Sequence, residues 1–143
     1  VDNGLEGFYL NSVLLLFVMG LCMGFVRVRG RIWNIEDKSK SRVVEFIVDT
    51  GAMYTCISRN VLLDLNVKPL YKRKFKLADN RVVVRDVGII GVEINDRFTF
   101  TPVIFGDENI FLLGVVTLEE LGLEVDPITG KLKEMELLLY SFH

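Results

Sequence analysis

Short apolar runs separated by clusters of turn-forming residues recur along the chain, a pattern that predicts strands rather than long helices. In Gly24-Phe25-Val26-Arg27-Val28-Arg29-Gly30-Arg31-Ile32 the arginines at 27, 29 and 31 fall on one face of a half-buried strand. Residues 34–41 read as a polar loop, and Arg42 to Val48 as a strand rich in Val, Ile and Phe that runs into Asp49-Thr50-Gly51-Ala52. A tight loop is expected there, because Gly51 tolerates backbone angles that other residues resist. Met53 to Ile57 is a further strand, after which Ser58 is placed to cap a short helical turn over Arg59 to Leu65, ended by Asn66.

Two hairpins follow. Residues 75–78 and 81–84 flank Asp79-Asn80, two residue types that tolerate positive φ, which predicts a projecting hairpin. Residues 89–94 and 98–105 flank Asn95-Asp96, and Pro102 marks an edge or a bulge. Thr117-Leu118-Glu119-Glu120 has capping-box spacing, and Gly122 is placed to stop that helix after little more than a turn. Asp126-Pro127-Ile128-Thr129-Gly130 is a turn, and a strand is expected over 132–139. Many short strands, one short helix near the C-terminus and no βαβ repetition predict an all-β domain.

The N-terminal segment reads differently. From Phe8 to Val26 only Asn11, Ser12, Gly20 and Gly24 are not apolar, which is long enough for a membrane helix. The strand beginning at Gly24 competes for the same residues, and Phe8 to Met23 alone would make a helix of roughly 24 Å, short of a hydrocarbon core about 30 Å thick. Asp2 and Glu6 precede the run where a secretory signal carries basic residues. Residues 1–22 are therefore expected to be an extension, with synthesis starting at Met23, and residues 23–143 the folded domain in the cytoplasm. The alternative is a single-pass anchor through residues 8–26, with the three arginines holding the domain on the cytoplasmic side.

Composition narrows the chemistry. The 143 residues include two Cys and one His, which is the terminal residue, so Ser-His and Cys-His catalysis are excluded and zinc spacings are absent. No metal and no cofactor are expected. A net charge of -2 leaves no basic footprint for nucleic acid, and the basic cluster from Lys68 to Lys76 reads as a solvated face. Cys22 and Cys56 read as reduced thiols outside catalysis. Asp107-Glu108 and Glu119-Glu120 read as solvated surface pairs.

What remains is Asp49, a carboxylate at the end of an apolar strand on a tight loop. Peptide hydrolysis by carboxylates needs a base for the water and an acid for the leaving amide. Two carboxylates about 3 Å apart that share one proton supply both. One such loop per chain implies a second copy, and so a C2 homodimer with its axis between two Asp49 side chains. The plain alternative is that Asp49 only terminates a strand in a turn. A haloacid-dehalogenase-type phosphatase would need an Asp where Gly51 stands.

From about Met23 to Met135 the chain resembles a retropepsin-like aspartic protease. The resemblance rests on Phe46-Ile47-Val48-Asp49-Thr50-Gly51-Ala52, continued by Thr55 and Ser58, and on Leu112-Leu113-Gly114. Met23-Gly24-Phe25-Val26, residues 113–119 and residues 122–127 are similar to small prokaryotic members. The resemblance implies a closed β-barrel, active as a homodimer, that hydrolyses peptide bonds in an extended peptide or protein. It implies Asp49, Thr50 and Gly51 as the catalytic loop, with Thr50 bracing the dimer, and Ala52, Leu112, Leu113 and Gly114 as its support. Leu77, Ala78, Asp79, Asn80, Arg81 and Val82 would form the flap over the substrate.

Viral members carry an ion pair where Met53 and Val115 stand here, so an apolar support is expected in its place. Asn80 occupies the position of a frequent flap-tip glycine. Leu137-Leu138-Leu139-Tyr140 is too apolar for a free tail and is the expected dimer contact. The competing reading is a catalytically inactive dimerisation or peptide-binding module on the same fold.

Overall fold

The structure is a computed structural model and describes residues 26–139. Strand β1 (Arg27–Asn34) pairs antiparallel with β2 (Asp37–Val48), from Arg27↔Ile47 to Asn34↔Asp37. Then come β3 (Thr55–Ser58), helix α1 (Arg59–Asp64), β4 (Tyr71–Lys76), β5 (Val82–Ile94), β6 (Arg97–Gly106) and β7 (Phe111–Leu113). Helix α2 (Val115–Leu121), β8 (Leu123–Val125) and β9 (Leu132–Glu134) complete the described chain.

The sheet runs in the order β1-β2-β7-β3-β6-β5-β4, and β5 also pairs back on β1 from Arg31↔Glu93 to Asn34↔Ile90. Six strands therefore close into a ring, although the second neighbour of a strand covers only part of its length: β2 meets β7 only at Ile47 and Val48, and β1 meets β5 only over residues 31–34. Strand β4 stays outside, paired with β5 alone within the described residues. Its outer edge carries Lys72, Arg73, Lys74 and Lys76, charges that discourage pairing with another chain.

Alternation fills the ring. Arg27, Arg29 and Arg31 are exposed, as the sequence pattern predicts, while Ile32, Val44, Phe46 and Val48 point inward. Ile57, Leu62, Ile90, Ile94 and Leu113 are fully buried and join them in one core. Trp33 lies across Gly91, where a Cβ would stand 2.1 Å from the indole Cε2; only a residue without a side chain lets that ring close over β5. Pro102 pairs with Ile89 just before the β3 ladder on β6 begins at Val103, so it sits where β6 is bonded on one side.

Several local readings are corrected. Residues 34–41 are not a loop: β1 and β2 continue to a two-residue turn at Ile35-Glu36. Their polarity reflects exposure of the hairpin end, and Asn34 is what shapes it. Its Oδ1 accepts from Glu36 N at 2.8 Å, and its Nδ2 donates to the Leu65 and Asn66 carbonyls, both at 2.9 Å. Ser58 precedes α1 without capping it, because its hydroxyl is engaged by Ile110 N at 2.9 Å. The β4–β5 hairpin turns through Ala78-Asp79-Asn80, one residue more than expected, closed by Leu77 N on Arg81 O at 2.8 Å. Asn80 takes φ 71, the left-handed conformation that makes a three-residue loop workable.

Helix α2 begins at Val115 after Gly114, so Thr117 is inside the helix rather than its cap; Gly122 ends it at φ 69, as predicted. The strand expected over 132–139 stops at Glu134, because β8, its neighbour, is three residues long. Leu137, Leu138 and Leu139 beyond it are exposed. Among the described residues no helix is long and apolar enough to cross a membrane. The segment 1–22 and the apolar run up to residue 25 lie outside the described residues, as does Tyr140.

Asn34→Ala would remove three hydrogen bonds and leave the Leu65 and Asn66 carbonyls short of a donor. It should cost about 1–3 kcal/mol of stability, read as a lower urea midpoint with an unchanged slope.

Candidate active site

Strand β7 lies between β2, to which it is parallel through Ile47↔Leu112 and Val48↔Leu113, and β3, to which it is antiparallel through Cys56↔Leu112. The chain thus leaves β2, loops through residues 49–54, and returns as β3 on the far side of β7. Asp49 is held at the mouth of this crossing by its own amide on Leu113 O at 3.0 Å. Ala52 N closes the loop on Asp49 O at 3.1 Å, and Gly51 N donates to Asp49 Oδ1 at 2.9 Å. Gly51 does not adopt positive φ; its requirement is spatial, since a Cβ would lie 3.3 Å from that same Oδ1.

Gly114 is more tightly constrained. A Cβ there would meet Tyr54 C at 2.4 Å, Tyr54 O at 2.6 Å and Met53 O at 2.7 Å, all backbone that cannot swing away. This approach lets Val115 N and Val116 N donate to Ala52 O and Met53 O, both at 2.9 Å. The expected apolar support from Met53 is absent within one chain, because its side chain is 65% exposed. Backbone hydrogen bonds tie the two segments instead.

Beneath the loop runs a chain of buried hydroxyls that sequence reasoning did not assemble. Gly114 N donates to Thr55 Oγ1 at 3.1 Å, Thr55 Oγ1 lies 2.6 Å from Thr117 Oγ1, and Thr117 Oγ1 2.9 Å from Thr101 Oγ1. Thr101 donates to Glu120 Oε1 at 3.1 Å. A carboxylate can only accept, so the direction is set throughout: Thr55 donates to Thr117 and Thr117 to Thr101. All three threonines are fully buried. Thr55 stood in the sequence motif, but Thr101 and Thr117 are apart in sequence and meet only through β6 and α2.

Asp49 is buried, and that desolvation pushes its pKa above the ordinary carboxylate value; the amides of Gly51 and Ala52 pull it part of the way back. Thr50 is exposed on the loop, Ala52 half-buried, and Leu112, Leu113 and Gly114 buried behind it. Among the described residues no group of three or more His, Cys, Asp or Glu could hold a metal ion.

Between the loop and the β4–β5 hairpin lies a cavity of about 260 Å³, with Gly51, Ala52 and Tyr54 on one side and Phe75, Leu77 and Val83 on the other. Tyr54 meets Phe75 edge-on at 5.9 Å and accepts from Arg73 Nη1 at 2.8 Å. Of the residues expected in the flap, Leu77 lines this cavity. Ala78, Asp79, Asn80, Arg81 and Val82 form the hairpin end beyond it, where Asp79 and Arg81 are ion-paired. Cys56, Arg85 and Asp107 also line it and were not picked out from the sequence. Burial, then Asp107, pushes the Cys56 thiol up to about 12, which keeps it neutral.

An acidic loop held by a strand threaded between its two flanking strands, with a hairpin across a cleft, defines an aspartic-protease type of site. Residues 38–120, more than half of the chain, match the family model described as "gag-polyprotein putative aspartyl protease", and the chain belongs to that family of retropepsin-like aspartic proteases. The solution structure of the simian foamy virus (mac) protease is similar at 17% identity and a TM-score of 0.48, over 65% of this chain and 91% of that one. No curated protein sequence matches.

Thr117→Val keeps the shape and removes the middle hydroxyl, leaving Thr55 without an acceptor and Thr101 without a donor. A loss of about 1–3 kcal/mol is expected, measured by denaturant unfolding, with the larger share absent in a Thr55→Val, Thr117→Val double variant if the two are coupled.

Proposed function

We propose that this chain is an aspartic endopeptidase that acts as a C2 homodimer, each subunit supplying one Asp49. The observation that carries this reading is Asp49 itself: a buried carboxylate on a loop fixed by amides at both ends, in a chain whose family is built on that motif. One buried carboxylate cannot be both base and acid, whereas two facing each other across a symmetry axis can.

In that dimer, a water held between the two carboxylates attacks the scissile carbonyl. The ionised Asp49 takes a proton from the water while the protonated one donates to the carbonyl oxygen, giving a tetrahedral gem-diol. The proton taken from the water then passes to the departing amine, and one gem-diol hydroxyl returns its proton to the other carboxylate as the C–N bond breaks, so the dyad again shares one proton. Thr50, exposed in the single chain, would brace the paired loops. The substrate would lie extended, its backbone adding to a strand edge, while residues 77–82 close over it and exclude water.

The pH dependence follows from the sign of the shift. Burial raises the Asp49 pKa, and a second Asp49 nearby would raise one of the pair further, because two adjacent negative charges repel. Activity is expected to fall as pH rises past the upper pKa of the dyad, where the shared proton is lost, and to fall again below the lower one. A casein-cleavage profile checks this; a rate still rising above neutral pH would contradict carboxylate chemistry.

Asp49→Asn should lower cleavage about a thousandfold or more with the dimer intact by sedimentation. A dimer that cleaves nothing at any pH would instead leave a peptide-binding module.

A further inference from the structure

The cavity under the β4–β5 hairpin contains an element that general proteolysis does not require. Arg85 enters it from β5, on the same face as Val83, among Leu77, Ile104, Ile110 and Leu112. Its Nη1 donates to Val84 O at 2.8 Å, but its Nη2 is fully buried and has no hydrogen-bond partner. A buried guanidinium donor left unpaired is costly, and more so than a neutral one.

The surrounding charges leave that cost unrelieved. Burial disfavours the charged form of Arg85 and outweighs Asp107 on the cavity wall, which favours it, and no ion pair within 4.0 Å joins the two. Lys76 also lines the cavity, so its wall carries two cations and one anion. Arg73 is the direct ladder partner of Arg85, and like charges placed opposite each other on a sheet repel. Among the lining residues the cations exceed the anion by one, and Arg85 Nη2 is the donor left without a partner.

We propose that this cavity is a specificity subsite for a glutamate side chain of the bound peptide, with Arg85 as the residue that selects it. The methylenes lie against Leu77, Val83 and Ile104, and the Arg85 guanidinium turns to present its unpartnered Nη2 to the carboxylate, an exchange suited to a planar guanidinium. Glutamate is favoured over aspartate because the polar atom lies behind an apolar lining that a longer stem must cross. This rests on the reading of the cleft as a substrate cleft.

The test uses one set of octapeptides that differ only in carrying Glu, Gln or Leu at a single scanned position. Cleavage is followed with the full chain, and binding is followed separately with its Asp49→Asn form. At one position Glu should exceed Gln by about tenfold or more in kcat/KM and in affinity, as expected for a charge-assisted contact. Arg85→Met should abolish that preference. Asp107→Asn, a change on the cavity rim that leaves the core alone, should enlarge it by removing the competing anion.

Glu-selective binding without cleavage would uphold the subsite and remove the protease reading. Equal use of Glu and Gln, a preference for Leu, or a Glu preference that survives Arg85→Met in protein with an unchanged circular dichroism spectrum would overturn the subsite. So would an Asp107→Asn profile identical to that of the unmodified chain.

Discussion

The contact between Gly114 and the backbone of Met53 and Tyr54 is the constraint on which the site depends. Two chain segments cross there at a distance no side chain could share. Because they do, β7 can lie between β2 and β3, the amides of Val115 and Val116 can reach the Asp49 loop, and α2 can start where the crossing ends. The threonine chain below stabilises the same crossing from the other side, with Gly114 N as its first donor. Loop, helix and strands are thus held by one junction, and Asp49 inherits its position from backbone hydrogen bonds rather than from side chains that could change rotamer.

Closure of the six-stranded ring has a functional consequence. The strand left outside the ring, β4, is bonded on one side within the described residues, carries charge along its exposed length, and is joined to β5 by a three-residue loop. Its anchor to the body of the domain is the contact of Phe75 and Arg73 with Tyr54, directly beside the Asp49 loop. The hairpin is therefore tied to the residue five positions after Asp49, and anything that displaces Tyr54 is felt at both walls of the cleft.

Much of this was legible from residue pattern. The arginines of β1, the Asn95-Asp96 turn, the apolar strand leading into Asp49 and the stop at Gly122 each follow from a local rule, and each rule acts within a few residues. The failures share a different cause. Residues 37–41 form strand despite their polarity because the hairpin they extend is solvated at its end, and Asn34 fixes it through the Leu65 and Asn66 carbonyls just after α1, remote in sequence. Ser58 and Thr117 looked like caps, but each hydroxyl found a partner more than fifty residues away in sequence: Ile110 for Ser58 and Thr55 for Thr117. A hydroxyl can satisfy a local amide or a distant one, and burial decides which. Arg85 illustrates the same limit: alternation places it on an inward face, but only packing reveals that nothing meets its Nη2.

The electrostatics of the cleft divide it into two ends. Around Asp49 the acting influences among the described residues are burial, which raises its proton affinity, and two amides, which lower it part of the way. Around Arg85, Lys76 and Asp107 the balance is positive, and the neighbouring Cys56 thiol stays neutral. A cation placed beside Asp49 would lower its pKa and oppose the effect of burial. The cations of the cavity thus lie under the hairpin, where Lys76 and Arg85 line it, while burial and two amides govern Asp49.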